Sequence, residues 1–465
     1  MPSIKMERFA EKKLSNWLNS RYRKPLVIRG ARQVGKSTLV RQFAKNKGLI
    51  LHEVNLERHL TLTDVFEIQD TGRILRELEF ICGKGPISGK DGLLFLDEIQ
   101  AVPIAIQTLR YLYEDYPELP VITAGSLLEF TMSKHSFSMP VGRVEYLFLG
   151  PVTFEETLMA MQENSLLDLL GNYQLIDIFP QSAHDQLLEI QRIWLLVGGM
   201  PEAIQRFIDT NELAEVFDVH ASIIETYKDD FAKYATQVEL IRLHKVFNYV
   251  AMAAGDKFKY VQVDPNEQAR DMRKAVDLLE KSQVIVNAYH TDASGLPLGA
   301  TINRRIFKPF FLDCGLMNSA CGIRWIALED LKRNEFINKG KIAEQFIAQH
   351  LAFLGRSNMS PVLTYWLREG RSKNAEVDFV TQLGQTIVPI EVKAGKSGSL
   401  KSLQQFICQK GNACAVRFDL NTPSYQHVEH SLSQLGETVK VDFNLLSFPL
   451  YMIEELPRIF GNLMP

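Results

Sequence analysis

The stretch Leu26–Phe43, LVIRGARQVGKSTLVRQF, decides how the chain is read. Its apolar start predicts a buried strand, and KSTLVRQFAKN predicts a helix with Leu39, Val40 and Phe43 on one face. Between the two, Gly30 and Gly35 let the backbone curl tightly. The N–H groups of the loop Gly30, Ala31, Arg32, Gln33, Val34 and Gly35, and of the helix start at Lys36, Ser37 and Thr38, then point inward at an anion. In such a loop the lysine, Lys36, reaches the β- and γ-phosphates of a nucleotide, and Ser37 offers its hydroxyl to Mg²⁺. The expected ligands are therefore ATP and Mg²⁺.

From about residue 25 to 160, short apolar runs (PLVIRG, LILHEVNL, GLLFLDE, LPVITAGS, EYLFLGP) alternate with helical stretches, which predicts a parallel sheet with helices on both faces. GLLFLDEIQ supplies the second half of a phosphate site. Asp97, where the apolar residues stop, is placed to hold Mg²⁺, and Glu98 to take a proton from the attacking water. Metal holding and base catalysis need separate carboxylates, so the adjacent pair points to hydrolysis rather than binding alone. VITAGS ends in Ser126, a hydroxyl at the height of a γ-phosphate or its water. Arg143, in PVGRVEY, is expected to reach into a neighbouring subunit's site, because its planar, permanently charged fork suits a transferring phosphoryl group. This makes a homo-oligomer an expected state.

Together with the glycine loop, the phrases LLFLDEIQ, AGSLLEF, PVGRVEYLFLGPVTFEE and GGMPEA resemble the prokaryotic AAA+-type P-loop ATPases that carry a C-terminal domain of uncharacterised function. The resemblance covers nearly the whole chain. It implies ATP binding and hydrolysis, with Lys36, Ser37, Asp97, Glu98 and Ser126 on the family's positions, and it implies no established client. Members often have GSS where this chain has AGSL, so Ser126 is matched and its neighbour is not.

Beyond the core the pattern changes twice. From about 160 to 235 it is helical, broken at VGGMPEA, where Gly198, Gly199 and Pro201 mark a helix end and a new start. Residues 236–334 read as helix, turn, helix and two strands across a polar loop, the order of a winged-helix unit. KAVDLLEKS, Lys274–Ser282, is then a recognition helix for DNA or a helix that packs on protein.

Residues 335–465 read as a second α/β unit. In AEVDFVTQLGQTIVPIEVKAG a hairpin turning near Leu383 and Gly384 puts Glu391 opposite Glu376 and diagonal to Asp378, with Lys393 on the face of Glu391. Two carboxylates and a lysine around a divalent ion suit phosphodiester cleavage, and Glu344 is available as a further ligand. The set resembles the PD-(D/E)xK restriction-endonuclease-like fold, with Gln404 at a common accessory position. Arg368, Arg371, Lys373, Lys396 and Lys401 flank the hairpin, and nearby acids partly cancel them. Trp366 is expected in the core.

The fold class expected is thus α/β: a P-loop NTPase parallel sheet (1–160), a helical lid (161–235), a winged-helix unit (236–334) and a restriction-endonuclease-like α/β domain (335–465). A net charge of −3 gives no global argument for nucleic acid, although the first fifty residues hold roughly thirteen Lys and Arg against two acids. Five scattered cysteines indicate neither a disulfide framework nor a metal site, so a reducing cytoplasm is the expected location. No apolar run approaches a membrane span. Two functions follow: ATP turnover coupled to binding or cleavage of DNA or RNA, or an ATP-set regulatory switch that binds without cutting.

Overall fold

Period-two burial explains the first sheet. Along β1 (Leu26–Arg29), Leu26 and Ile28 enter one apolar core and Val27 the other; along β3 (Gly92–Asp97), Leu93 and Phe95 enter the first core and Leu94 and Leu96 the second. Strands buried on both faces need helices on both, and the helix Lys36–Lys47 covers one face while Thr71–Cys82 and Ile104–Asp115 cover the other. With β2 (Ile50–Asn55), β4 (Val121–Gly125) and β5 (Glu145–Phe148), the order is β2-β3-β4-β1-β5, and every pairing is parallel. The chain leaves β1 toward one edge and returns to β5 on the other side. The crevice at the strand C-termini therefore opens beside β1, where the glycine loop lies. The computed structural model describes residues 6–126, 128, 140, 142–323, 339–355, 357–368, 374–396, 398–434 and 437–463.

Helices follow the sheet. Phe154–Ala160 starts with a capping box between Thr153 and Glu156, and Asn164–Asn172, Gln181–Val197, Pro201–Thr210 and Leu213–Tyr234 come after it. The middle pieces occur in the expected order: helix Gln237–Ala253, helix Ala269–Lys281, then β6 (Ile285–Thr291) antiparallel to β7 (Ile302–Phe311). This hairpin does not end there. β6 also pairs in parallel with β8 (Leu363–Arg368), which pairs with β9 (Ala375–Val377), so one four-stranded sheet joins residues on both sides of position 334.

The last sheet has the order β10-β11-β12-β14-β13, from β10 (Phe379–Leu383), β11 (Thr386–Val392), β12 (Cys414–Asp419), β13 (Ser424–Gln434) and β14 (Glu437–Pro449). Its core is shared with the helices that follow the first sheet: Leu166, Leu170 and Trp194 pack in one cluster with Phe346, Tyr451 and Phe460. Trp366 is buried, edge-on to Phe406. Among the described residues no helix is long and apolar enough to cross a membrane.

The hairpin register differs from the expected one. Leu383 pairs with Thr386 and Phe379 with Ile390, so the turn is Gly384–Gln385, one residue later than the sequence suggests. The shift moves the pairing by two residues and keeps every side chain on its face. Continuing that register puts Asp378, not Glu376, opposite Glu391. Asp378 itself sits in a break between β9 and β10, where the chain changes partner from β8 to β11. Arg371 and Lys373 lie outside the described residues.

Candidate functional site

The glycine loop is held in an anion-ready shape. Gly35 has φ +92°, and a Cβ on Gly30 would stand 2.4 Å from the Leu149 carbonyl oxygen, so neither position accepts a side chain without movement. Lys36 is 8% exposed and its Nζ donates to the loop's own carbonyls, Gly30 at 3.0 Å and Ala31 at 2.8 Å. Burial pushes its ammonium down to about 8, against the pull of Glu98 and Asp97. Thus the lysine is parked at the loop and short of counter-charge, a state that phosphate oxygens would relieve.

Ser37 Oγ donates to Asp97 Oδ2 at 2.8 Å, which joins the helix start to the end of β3. Burial raises the Asp97 carboxyl, partly offset by that hydrogen bond. Glu98 follows in a left-handed conformation (φ +51°), its N–H donating to Asp97 Oδ1 at 3.1 Å and its Oε2 accepting from the Gln100 amide. Ser126, at the end of β4, is 6% exposed, and its hydroxyl is buried without a partner. An orphaned hydroxyl, a glycine cradle and a Ser–Asp pair of hard oxygen donors fit a magnesium nucleotide at this edge of the sheet.

Two supports of the loop have no signature in the sequence. Arg8, 7% exposed at its side chain, donates to the Val34 carbonyl at 3.0 Å, to Gly150 at 2.9 Å and to Pro151 at 3.1 Å, and pairs with Glu156 at 2.8 Å. From the helix Leu213–Tyr234, Asp230 pairs with Arg32 at 2.5 Å and Tyr227 OH donates to the Arg32 carbonyl at 2.9 Å. These contacts cross 26 to 198 positions of sequence, beyond the reach of any local pattern.

Arg143 lies apart from this group. It precedes β5, whose first residue Glu145 pairs with Leu26, the first of β1, so Arg143 is at the sheet edge opposite the loop. Four strand residues separate the two edges, about 13 Å. Its side chain is 44% exposed and pairs with Glu114 at 3.1 Å. It is therefore not one of the groups that meet at the glycine loop.

The C-terminal residues form a second charged cluster. Lys393 donates to Glu391 Oε1, Glu391 Oε2 is buried and unpartnered, and Asp378 Oδ2 accepts from the Val392 N–H at 2.7 Å. Burial and the neighbouring Asp378 raise Glu344 to about 8 and Glu391 to about 7; Asp378 is raised by burial. Sequence reading missed the lysine at the centre. Lys308 of β7, 2% exposed, pairs with Glu376, lies 3.9 Å from Glu344 Oε2 and stands over the Tyr365 ring at 5.1 Å. Burial alone would lower its ammonium, but Glu344, Glu376 and Asp378 together raise it. Among the described residues no three carboxylates of this cluster bring their oxygens within 4.8 Å of one another. The trio that meets this spacing is His427, Glu429 and Asp442, exposed on β13 and β14.

Comparison with known proteins adds the following. Residues 22–158 match a family described as an AAA domain, which supports ATP binding and hydrolysis; residues 188–326 and 339–426 match two domains of unknown function, DUF8612 and DUF4143. No curated protein matches the sequence. Solved structures with similarity include the Aeropyrum pernix ORC1 protein in complex with DNA, at 12% identity over 69% of this chain and 94% of that one. The Thermotoga maritima RuvB Holliday junction branch migration motor matches at 14% identity over 62% and 90%. C. elegans PCH-2 matches at 11% over 43% of this chain, which spans 62% of the PCH-2 chain. All three have TM-scores of 0.28, too low to transfer any detail. Residues 22–158 thus carry an AAA-type P-loop domain on a five-stranded parallel sheet.

Proposed function

We propose that the chain is a Mg²⁺-dependent ATPase whose turnover sets the conformation of its middle and C-terminal units. The observation that carries this reading is the convergence of Lys36, Ser37, Asp97, Glu98 and the orphaned Ser126 hydroxyl at one edge of the sheet. Loop N–H groups and Lys36 bind the phosphates, Lys36 exchanging the Gly30 and Ala31 carbonyls for phosphate oxygens. Ser37 and Asp97 would hold Mg²⁺, which when bound offsets charge on the β- and γ-phosphates. Glu98, once released from Gln100, takes the proton of the attacking water, and Ser126 orients that water or the γ-phosphate. Arg143 of a neighbouring copy stabilises the transferring group, which makes the active form a homo-oligomer. The assay is phosphate release from ATP with and without Mg²⁺, for wild type and Lys36→Ala: activity in the first alone is expected, and equal rates would refute the site.

A DNA or RNA partner is the client this reading favours. Arg273, Arg304 and Arg305 line an open cavity of about 930 Å³ between the helix Ala269–Lys281 and the β6–β7 hairpin, a place for backbone phosphates. Asp292 on the same cavity and the pairing of Arg273 with Asp277 at 4.0 Å temper that charge. Cleavage by Asp378, Glu391 and Lys393 is the second reading. It is supported by the hairpin register, which if continued one residue past Phe379 and Ile390 would bring Asp378 opposite Glu391, and opposed by the ammonium of Lys308 among the carboxylates. Without cleavage, the chain is an ATP-controlled binding switch.

A further inference from the structure

The C-terminal cluster is assembled from distant segments: Lys308 from β7, Glu344 from the helix Lys339–Leu354, Glu376 and Asp378 from the β9–β10 junction, Glu391 and Lys393 from β11 and its end. Lys308 is built into it. β7 is fixed along one edge by β6, with Ala288 opposite Lys308. Close by, Gln345 accepts the Phe311 N–H at 2.8 Å and donates to the Phe311 carbonyl at 2.7 Å, as a strand neighbour would. Gln345 follows Glu344 on the same helix, so the contact that places β7 also places a carboxylate beside its lysine.

A divalent ion needs the electrons that this ammonium uses. Oxygens of Glu344, Asp378 and Glu391 would have to gather around a cation at roughly 2.0–2.6 Å each, yet Lys308 offsets part of their charge and, among the described residues, these three do not bring their oxygens within 4.8 Å of one another. The metal expected from the nuclease resemblance therefore does not fit this arrangement. We propose that Lys308 is a built-in counter-cation that masks a divalent-metal site made by Glu344, Asp378 and Glu391. The unpartnered, buried Glu391 Oε2 is the oxygen left over by the mask.

β7 also ties the mask to the nucleotide side. Just past its end, Asp313 accepts the Gly199 N–H at 2.5 Å, and two residues later Pro201 lies 3.5 Å from where a Cβ on Gly35 would be. A shift of the lid at Gly199 thus pulls on the strand that carries Lys308.

The inference rests on the cleavage reading for its ligand set, and a binding experiment separates the two. Mn²⁺ is titrated into the full chain without nucleotide and followed by electron paramagnetic resonance. Wild type should take no Mn²⁺ at this site. Lys308→Met should gain one site, and Lys308→Met with Asp378→Asn should lose it. Removing a unit charge about 4 Å away in a partly polar interior corresponds to a gain on the order of a thousandfold in affinity for each unit of the ion's charge, so a rise of at least that size is expected for Mn²⁺. Lys308→Met should also melt lower than wild type and recover when Mn²⁺ is added. A folded Lys308→Met that binds no more Mn²⁺ than wild type overturns the proposal, as does a wild-type site abolished by Asp378→Asn. If Lys308→Met does not fold, Glu376→Gln decides, since the half-exposed Glu376 tolerates change and the substitution loosens the ammonium: raised Mn²⁺ affinity supports the mask, and unchanged affinity overturns it. Mn²⁺ gained without cleavage of any DNA or RNA upholds the mask and removes the nuclease reading alone.

Discussion

Replacing Gly198 by Ala tests whether the lid turn holds the phosphate loop. Gly198 ends the helix Gln181–Val197 with φ +69° and ψ −166°, a region that is nearly glycine's alone and costs other residues roughly 1–3 kcal/mol. An added Cβ would stand 2.2 Å from Asp313 Oδ1 and 2.7 Å from Oδ2. Asp313 is fully buried and accepts the N–H groups of Gly199 at 2.5 Å and Leu316 at 2.9 Å, so it cannot yield without loosening both. Hydrogen bonds to a charged group contribute about 1.5–3 kcal/mol each. Backbone strain plus one lost bond gives a destabilisation of about 4 kcal/mol, or a melting shift of about 8–16 °C for a unit of this size. Thermal melting of the full chain by circular dichroism is the assay, with ATP affinity measured alongside, because Met200 and Pro201 follow from this turn to Gly35. In an Asp313→Ala background the same change should cost only the backbone share. A wild-type melting curve for Gly198→Ala, or full additivity with Asp313→Ala, would refute the reasoning.

If Arg143 acts on a neighbour, Arg143→Ala mixed with Lys36→Ala should recover part of the ATPase that each lacks alone; no recovery together with a monomeric active wild type dismisses the role. Burial lowers the Lys36 ammonium from 10.5 to about 8, so nucleotide-free protein loses that proton as the pH passes this value, and ATP affinity should fall above it. An affinity that is flat from about pH 7 to about 9 contradicts the assignment. Glu454, whose side chain is 8% exposed, is raised by burial and by Glu156 and Glu455 from 4.5 to about 8. Its contribution to stability is present in full below 4.5 and lost as pH rises through about 8, so Glu454→Gln should flatten the decline of melting temperature in that window. An unaltered slope in the variant would show that Glu454 titrates as an ordinary carboxylate.

What the sequence makes legible is what lies close together along it. The strand, glycine loop and helix at Leu26–Phe43 declare themselves because one local segment must bury two apolar faces and expose amides between them. Asp97 and Glu98 are marked by the end of an apolar run. Arg8, Asp230 and Lys308 are invisible to such reading: each acts on a segment brought to it by the fold, and a lone Arg, Asp or Lys has no periodicity. The hairpin around Gly384 shows an intermediate case. Alternation fixed which side chains share a face, but turn geometry chose between registers two residues apart, and it paired Phe379 with Ile390. The pairing of β6 with β8 was hidden for a related reason, because parallel neighbours more than seventy residues apart leave no mark in either strand.

Glu98→Gln puts the central claim at risk most directly. The amide keeps the size of the side chain and its place beside Asp97 but cannot accept the proton of the attacking water. With Mg²⁺ present, the account predicts that the variant binds ATP as wild type does and releases no phosphate, while wild type turns over. Hydrolysis by Glu98→Gln at the wild-type rate, or a wild type that binds ATP and never hydrolyses it, would contradict it.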